Sequence, residues 1–171
     1  MGTDMKFGPR YEYFFCKELQ EICRNCLPIS DDPAKNWVAG VGTGAYGAMK
    51  MALKHPDVFS GAAALHGRVD MEAMIQKALA GADTGTPQTK ASLEAVFGDL
   101  TAFHGSKNDL FALPKPQGSR FFFAWEQGSG LEAENTRLAA ALDAQTLVLD
   151  RGADFDSLQV SLRSAAKWLM L

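Results

Sequence analysis

No stretch of about 18 consecutive apolar residues occurs, so the chain offers no segment able to cross a bilayer as a helix. Cysteine is scarce: Cys16, Cys23 and Cys26 make an odd count of three, which fits a reducing compartment better than a disulfide framework. There is no basic excess. The 17 Lys and Arg face 20 Asp and Glu, a formal net charge of −3, which argues against nucleic acid as a partner. The opening residues Met1-Gly2-Thr3-Asp4-Met5-Lys6 carry neither the apolar core of a signal peptide nor the hydroxyl residue of a myristoylation signal, so the default compartment is the cytoplasm. Histidine is also rare, with three in the chain and none after His104. Internal repeats and low-complexity tracts are absent.

What is present is the composition of a globular protein, 171 residues with 47% hydrophobic and 22% charged. That length fits a single domain over residues 1–171, able to bury roughly 70% of its unfolded surface without a metal or disulfide staple. From Arg10 to Leu27, Phe15, Leu19, Ile22 and Cys26 recur at helical spacing before Pro28, which predicts an amphipathic helix packed on a sheet. Strands are expected at Asn36 to Val41, Gly61 to His66, Ser119 to Trp125 and Thr146 to Leu149. Helices are expected at Ala48 to His55, Met71 to Leu79, Ala91 to Phe97 and Leu131 to Leu142. A last helix should be capped by Asp156 and bury Leu158, Leu162, Ala165 and Leu169. Strands alternating with helices predict an α/β fold with a mostly parallel sheet of about four strands.

The chemically loaded segment runs from Gly40 to Lys50, between the first strand and its helix. Within it Gly42-Thr43-Gly44-Ala45-Tyr46-Gly47 reads as G-x-G-x-x-G, a pattern that cradles a dinucleotide pyrophosphate at a helix N-terminus. The acid expected about 20 residues on, for the ribose hydroxyls, is missing. The next strand ends His66-Gly67-Arg68 and the nearest acid is Asp70; Arg68 would suit the 2′-phosphate of NADP. The same glycines also read as a nucleophile elbow, G-x-S-x-G, with Gly42 where the serine belongs.

The longer string from Trp37 through Gly40-Val41-Gly42-Thr43-Gly44 to His55-Pro56-Asp57-Val58-Phe59 resembles the elbow and following helix of the esterase D group of α/β-hydrolases, which includes tributyrin esterases and S-formylglutathione hydrolases. The resemblance continues through Ala62-Ala63-Ala64-Leu65-His66-Gly67, Phe97-Gly98-Asp99, Asn108-Asp109-Leu110-Phe111, the strand ending at Trp125, Asn135 and the final Trp168-Leu169. It implies an α/β-hydrolase fold that is truncated, because the family's first strands have no counterpart here. It also implies an exposed edge at Trp37 to Val41, to be covered by a homodimer or by a separate N-terminal half.

Acyl transfer on this fold needs a hydroxyl nucleophile, an imidazole base and a carboxylate that orients it. By the resemblance the nucleophile falls on Gly42, the acid on Ser129 and the histidine within residues 152–155, best matched by Asp154. Thr43 would supply one oxyanion N–H, and the other belongs to the family's N-terminal half. Gly40, Gly44, Tyr46, His66 and Trp125 are expected to line the pocket, with no metal and no cofactor. Losing one triad member costs about 10⁴-fold and one oxyanion donor ~10²-fold to 10³-fold, so little rate should survive. Thr43 lies one residue past the apex with no histidine placed to activate it. The expectation is a catalytically impaired esterase-family protein with a binding or scaffolding role, or a gene remnant. Residual hydrolysis of short acyl esters and an NADP-binding module are the alternatives. Cys23-Arg24-Asn25-Cys26 sits at a helix C-terminus, the wrong end to activate a thiol, and reads as packing. Phe121-Phe122-Phe123 reads as a central strand; Glu126, Glu132 and Glu134 near a strand end could bind a cation, but solvated acids are the ordinary reading.

Overall fold

The computed structural model describes residues 2–83, 88–150 and 154–170. A helix over residues 11–26 (α1) leads into strand β1, Trp37–Val41, and helix α2, Gly44–Lys54. Strand β2, Gly61–Leu65, is followed by α3, Met71–Leu79, and α4, Lys90–Phe97. Strand β3, Arg120–Glu126, helix α5, Glu132–Ala141, strand β4, Gln145–Leu149, and helix α6, Phe155–Leu169, complete the order. The four strands form one sheet in the order β1-β2-β3-β4, every pair parallel, with Trp37 opposite Gly61, Gly61 opposite Arg120 and Phe122 opposite Gln145. This is the expected α/β architecture, with strand ends within a residue or so of the sequence reading.

Alternation along the strands assigns the two faces. Ala62, Ala64, Phe121, Phe123 and Trp125 join the larger core with α2, α3 and α5. Ala63, Leu65, Phe122 and Ala124 form a smaller core with Ala165 and Leu169 of α6, flanked by Trp37 and Leu147. The middle strands are buried throughout, which is why they read as unbroken apolar runs. β1 is an edge strand, with Ala39 and Val41 exposed.

Three elements differ from the sequence reading. α2 begins at Gly44, four residues ahead of the expected Ala48, because the helix starts directly off the glycine turn. α1 contains a π-helical stretch, Phe14–Glu18, which adds a residue and rotates the face that follows. The buried residues of α1 are Glu12 and Cys16, while Phe15, Ile22 and Cys26 are exposed. In α6 the cap is Asp154, which accepts from the Ser157 N–H at 2.7 Å, rather than Asp156. The buried row is Ser157, Ser161, Ala165 and Leu169; Leu162 is exposed and Leu158 half-buried.

Candidate functional site

The glycine turn has the geometry of an elbow. Gly42 sits at φ +56°, a left-handed conformation that residues with a Cβ rarely adopt, and its N–H donates to the Leu65 carbonyl at 3.0 Å. A Cβ on Gly40 would stand 2.0 Å from the Gly44 carbonyl oxygen, so only glycine lets the helix start this close to the strand. A Cβ on Gly67 would likewise meet the Gly42 carbonyl oxygen at 2.2 Å, which fixes the end of β2 against the turn. Beside the turn lies a cleft of about 330 Å³ lined by Tyr11, Phe15, Val38, Gly40, Thr43 and Gly44 among others. Two of the expected lining residues, Gly40 and Gly44, therefore border it, as does Thr43.

Tyr46, His66 and Trp125 do not line it. Tyr46 is 1% exposed and its hydroxyl donates to the Asn108 carbonyl at 2.5 Å, because the first turn of α2 faces the core. Burial pushes the Tyr46 phenol far above its ordinary value, so it is no acid at neutral pH. Trp125 points into the larger core, its indole nitrogen buried without a partner among the described residues.

His66 is the residue whose setting was least legible. It has φ +50°, and its N–H donates to the Ala124 carbonyl. Its ring lies between Glu126, with Nδ1 2.5 Å from the carboxylate, and Ser161, with Nε2 2.8 Å from the hydroxyl. All three side chains are buried, and Ser161 is 0% exposed, its single hydroxyl proton donated to the Ser157 carbonyl. The three side chains are linked in serine–histidine–acid order, but the Ser161 proton goes to Ser157 rather than to His66, and none of the three occupies the position that the resemblance assigns. The sequence held one signal for it: two serines four residues apart in α6 face a sheet end that carries His66 and Glu126.

The other assigned positions carry local structure. Ser129 is half-buried and accepts from the Leu131 N–H at 3.4 Å, a turn leading into α5. Asp154 is exposed and caps α6; of the segment expected to hold the histidine, residues 152 and 153 lie outside the described residues. Glu126, Glu132 and Glu134, read as solvated, are each engaged. Glu132 accepts from the Gly128 N–H at 2.7 Å, and Glu134 accepts from the Val69 N–H at 2.8 Å. Burial raises the Glu134 carboxyl above its ordinary value despite that hydrogen bond and the nearby Arg68. Asn135 donates to the Gly67 carbonyl at 3.0 Å, so the start of α5 clamps the loop behind the elbow. Arg68, the residue suited to a 2′-phosphate, pairs with Glu134 at 3.3 Å.

Comparison with known proteins fits this geometry. The sequence model of the Esterase family matches residues 3–167. An acetyl esterase of Caldicellulosiruptor saccharolyticus is 28% identical over 170 residues, covering 91% of this chain; the chain spans 62% of that protein's length. Among solved structures, the fluorophosphonate-binding serine hydrolase FphF of Staphylococcus aureus superposes with a TM-score of 0.81 at 20% identity, over 99% of this chain and 67% of its own. S-formylglutathione hydrolase of the same organism gives 0.73 at 19% identity, over 98% of this chain and 66% of its own. The fold is shared with these hydrolases, and the chain belongs to the Esterase family.

Proposed function

We propose that this chain is a catalytically impaired member of the esterase family, acting by binding or scaffolding. The observation that carries the reading is Gly42, which stands at the elbow apex without any side chain to attack an acyl carbon. The nearest imidazole compounds the loss, since both nitrogens of His66 are committed inside the protein. Ser129 and Asp154 serve as turn and cap residues where an acid and a base would be needed. A group transfer lacking nucleophile, base and orienting acid together falls short by far more than the about 10⁴-fold of one loss.

The Ser161-His66-Glu126 linkage is the one feature that favours the second reading, residual hydrolysis of short acyl esters. Against it, the Ser161 hydroxyl is sealed from solvent. The two readings separate in one experiment: the purified chain is incubated with a fluorophosphonate probe and with p-nitrophenyl acetate, with FphF as the positive control. No adduct and hydrolysis within about 10-fold of buffer are expected. A covalent adduct overturns the proposal, and its loss in Ser161→Ala would assign the nucleophile.

The same reading gives β1 a role. Its outer edge, with Ala39 and Val41 exposed, is a strand-pairing surface for a second copy or for a separate N-terminal half. The cytoplasm is the compartment consistent with three free cysteines.

A further inference from the structure

Away from the elbow, Glu72 in the first turn of α3 meets His104 and Asp109 from the connection between α4 and β3. One ligand atom from each, an imidazole nitrogen and two carboxylate oxygens, all lie within 4.8 Å of one another. His104 Nδ1 is 2.9 Å from Glu72 Oε2 and 4.0 Å from Asp109 Oδ2. Two donors each about 2.1 Å from a divalent ion stand about 3.0 Å apart at an octahedral right angle and about 3.4 Å apart at the tetrahedral angle. The two observed separations bracket those values, so one ion could draw all three donors in by shifts of an ångström or less.

We propose that Glu72, His104 and Asp109 form a binding site for one divalent transition-metal ion of the Zn²⁺ class. Three features beyond the distances favour it. Asp109 is 4% exposed, and its carboxylate is aimed in advance by the Phe111 N–H on Oδ1 and the Gly105 N–H on Oδ2, each at 3.0 Å. His104 is 80% exposed, with Glu72 and Asp109 as its charged neighbours, so it supplies the donor with room to adjust. Two carboxylates with a neutral imidazole carry −2, which a divalent ion matches. The cation at the rim, Arg137, pairs instead with Asp70 at 2.5 Å and lies over the Phe111 ring. The site opens on a cleft of about 400 Å³ bordered by Ala112 and Arg137, leaving room for water or an anionic group on the remaining coordination positions. One imidazole among oxygen donors suits a borderline ion better than Ca²⁺ or Mg²⁺, which take oxygen throughout. This revises the sequence expectation of no metal, and it stands whether or not the elbow is inactive.

The test is calorimetric titration of ZnCl₂ into the intact chain, into His104→Ala and Glu72→Gln, and into Cys23→Ala/Cys26→Ala as the control for thiol binding. One site is expected, with Kd raised about 100-fold or more in His104→Ala and Glu72→Gln and unchanged in the cysteine variant. Binding that survives His104→Ala, binding lost in the cysteine variant, or no binding at millimolar Zn²⁺ overturns the proposal. His104 is on the surface, so its variant should fold, and thermal melting of the zinc-free proteins checks this.

Discussion

At Gly42 a side chain would find open space but the wrong backbone, since a Cβ there would have no atom within 4 Å while φ is +56°. Gly42→Ser should therefore fold, with a cost of about 1 kcal/mol and a melting temperature lower by roughly 2–4 °C. It should not gain p-nitrophenyl acetate hydrolysis, because His66 remains tied to Glu126 and Ser161; turnover well above the parent chain would refute the assignment of lost partners. Gly40 is the opposite case, with permissible angles but no room. Gly40→Ala drives a Cβ against backbone at 2.0 Å, and we expect the soluble yield of that variant to collapse while Gly44→Ala, with nothing within 4 Å, expresses normally. These roles were half legible. The glycine spacing announces a strand-turn-helix, but it is common to elbows and dinucleotide loops, and a tight turn alone does not say which chemistry sits above it. His66 was opaque for another reason: its partners come from β3 and α6, and no local pattern reports a contact 60 or 95 residues away.

Among the elements, α1 is held by charge more than by its apolar stripe. Glu12, 7% exposed, pairs with Lys50 at 2.8 Å, with Lys54 and with His55 at 2.9 Å. Burial pushes its carboxyl up, yet hydrogen bonds from these three groups outweigh this and bring it from an ordinary 4.5 to about 2. Lys50 is 1% exposed and shifts downward, burial opposing its charge more than Glu12 supports it. The two partners thus pull the balance in opposite directions, and the gain read from Glu12 alone, roughly 3 kcal/mol, is an upper bound. A carboxyl depressed in the folded state stabilises fully above its unfolded pKa and loses that contribution as pH falls through the folded one. Between about pH 4.5 and 2 the melting temperature should drop, and Glu12→Gln should flatten that stretch of the curve while costing about 2 kcal/mol at pH 7. An unchanged acid limb in Glu12→Gln would mean that other carboxylates set it. The helix itself was visible in the sequence, but its orientation was not. Periodicity assumes an unbroken α-helical phase, and the π-helical stretch at Phe14–Glu18 resets it. α6 misleads similarly, since counting apolar residues favours Leu158 and Leu162, whereas the sheet end presents His66 and Glu126 and draws Ser157 and Ser161 inward.

For the whole molecule, the strand edges and the parallel order were the most legible features, because β2 and β3 are buried on both faces and show it as Ala62-Ala63-Ala64-Leu65 and Phe121-Phe122-Phe123. What those strands cannot show is what lies beyond β1. With Ala39 and Val41 exposed there, light scattering should give the isolated chain a mass above its 18.5 kDa, and Val41→Lys should return it to monomer by putting a charge on the pairing edge. A monodisperse monomer of the parent chain would remove the proposed strand-pairing role.

The second face of the sheet has a further consequence, in the order of synthesis. Among the described residues, α6 is the helix that covers Leu65 and Phe122, and it follows all four strands in the chain. A nascent chain that has already emitted its sheet therefore carries a bare aromatic and aliphatic surface until Ala165 and Leu169 emerge, so translation pausing ahead of α6 would prolong exposure to chaperones and to aggregation.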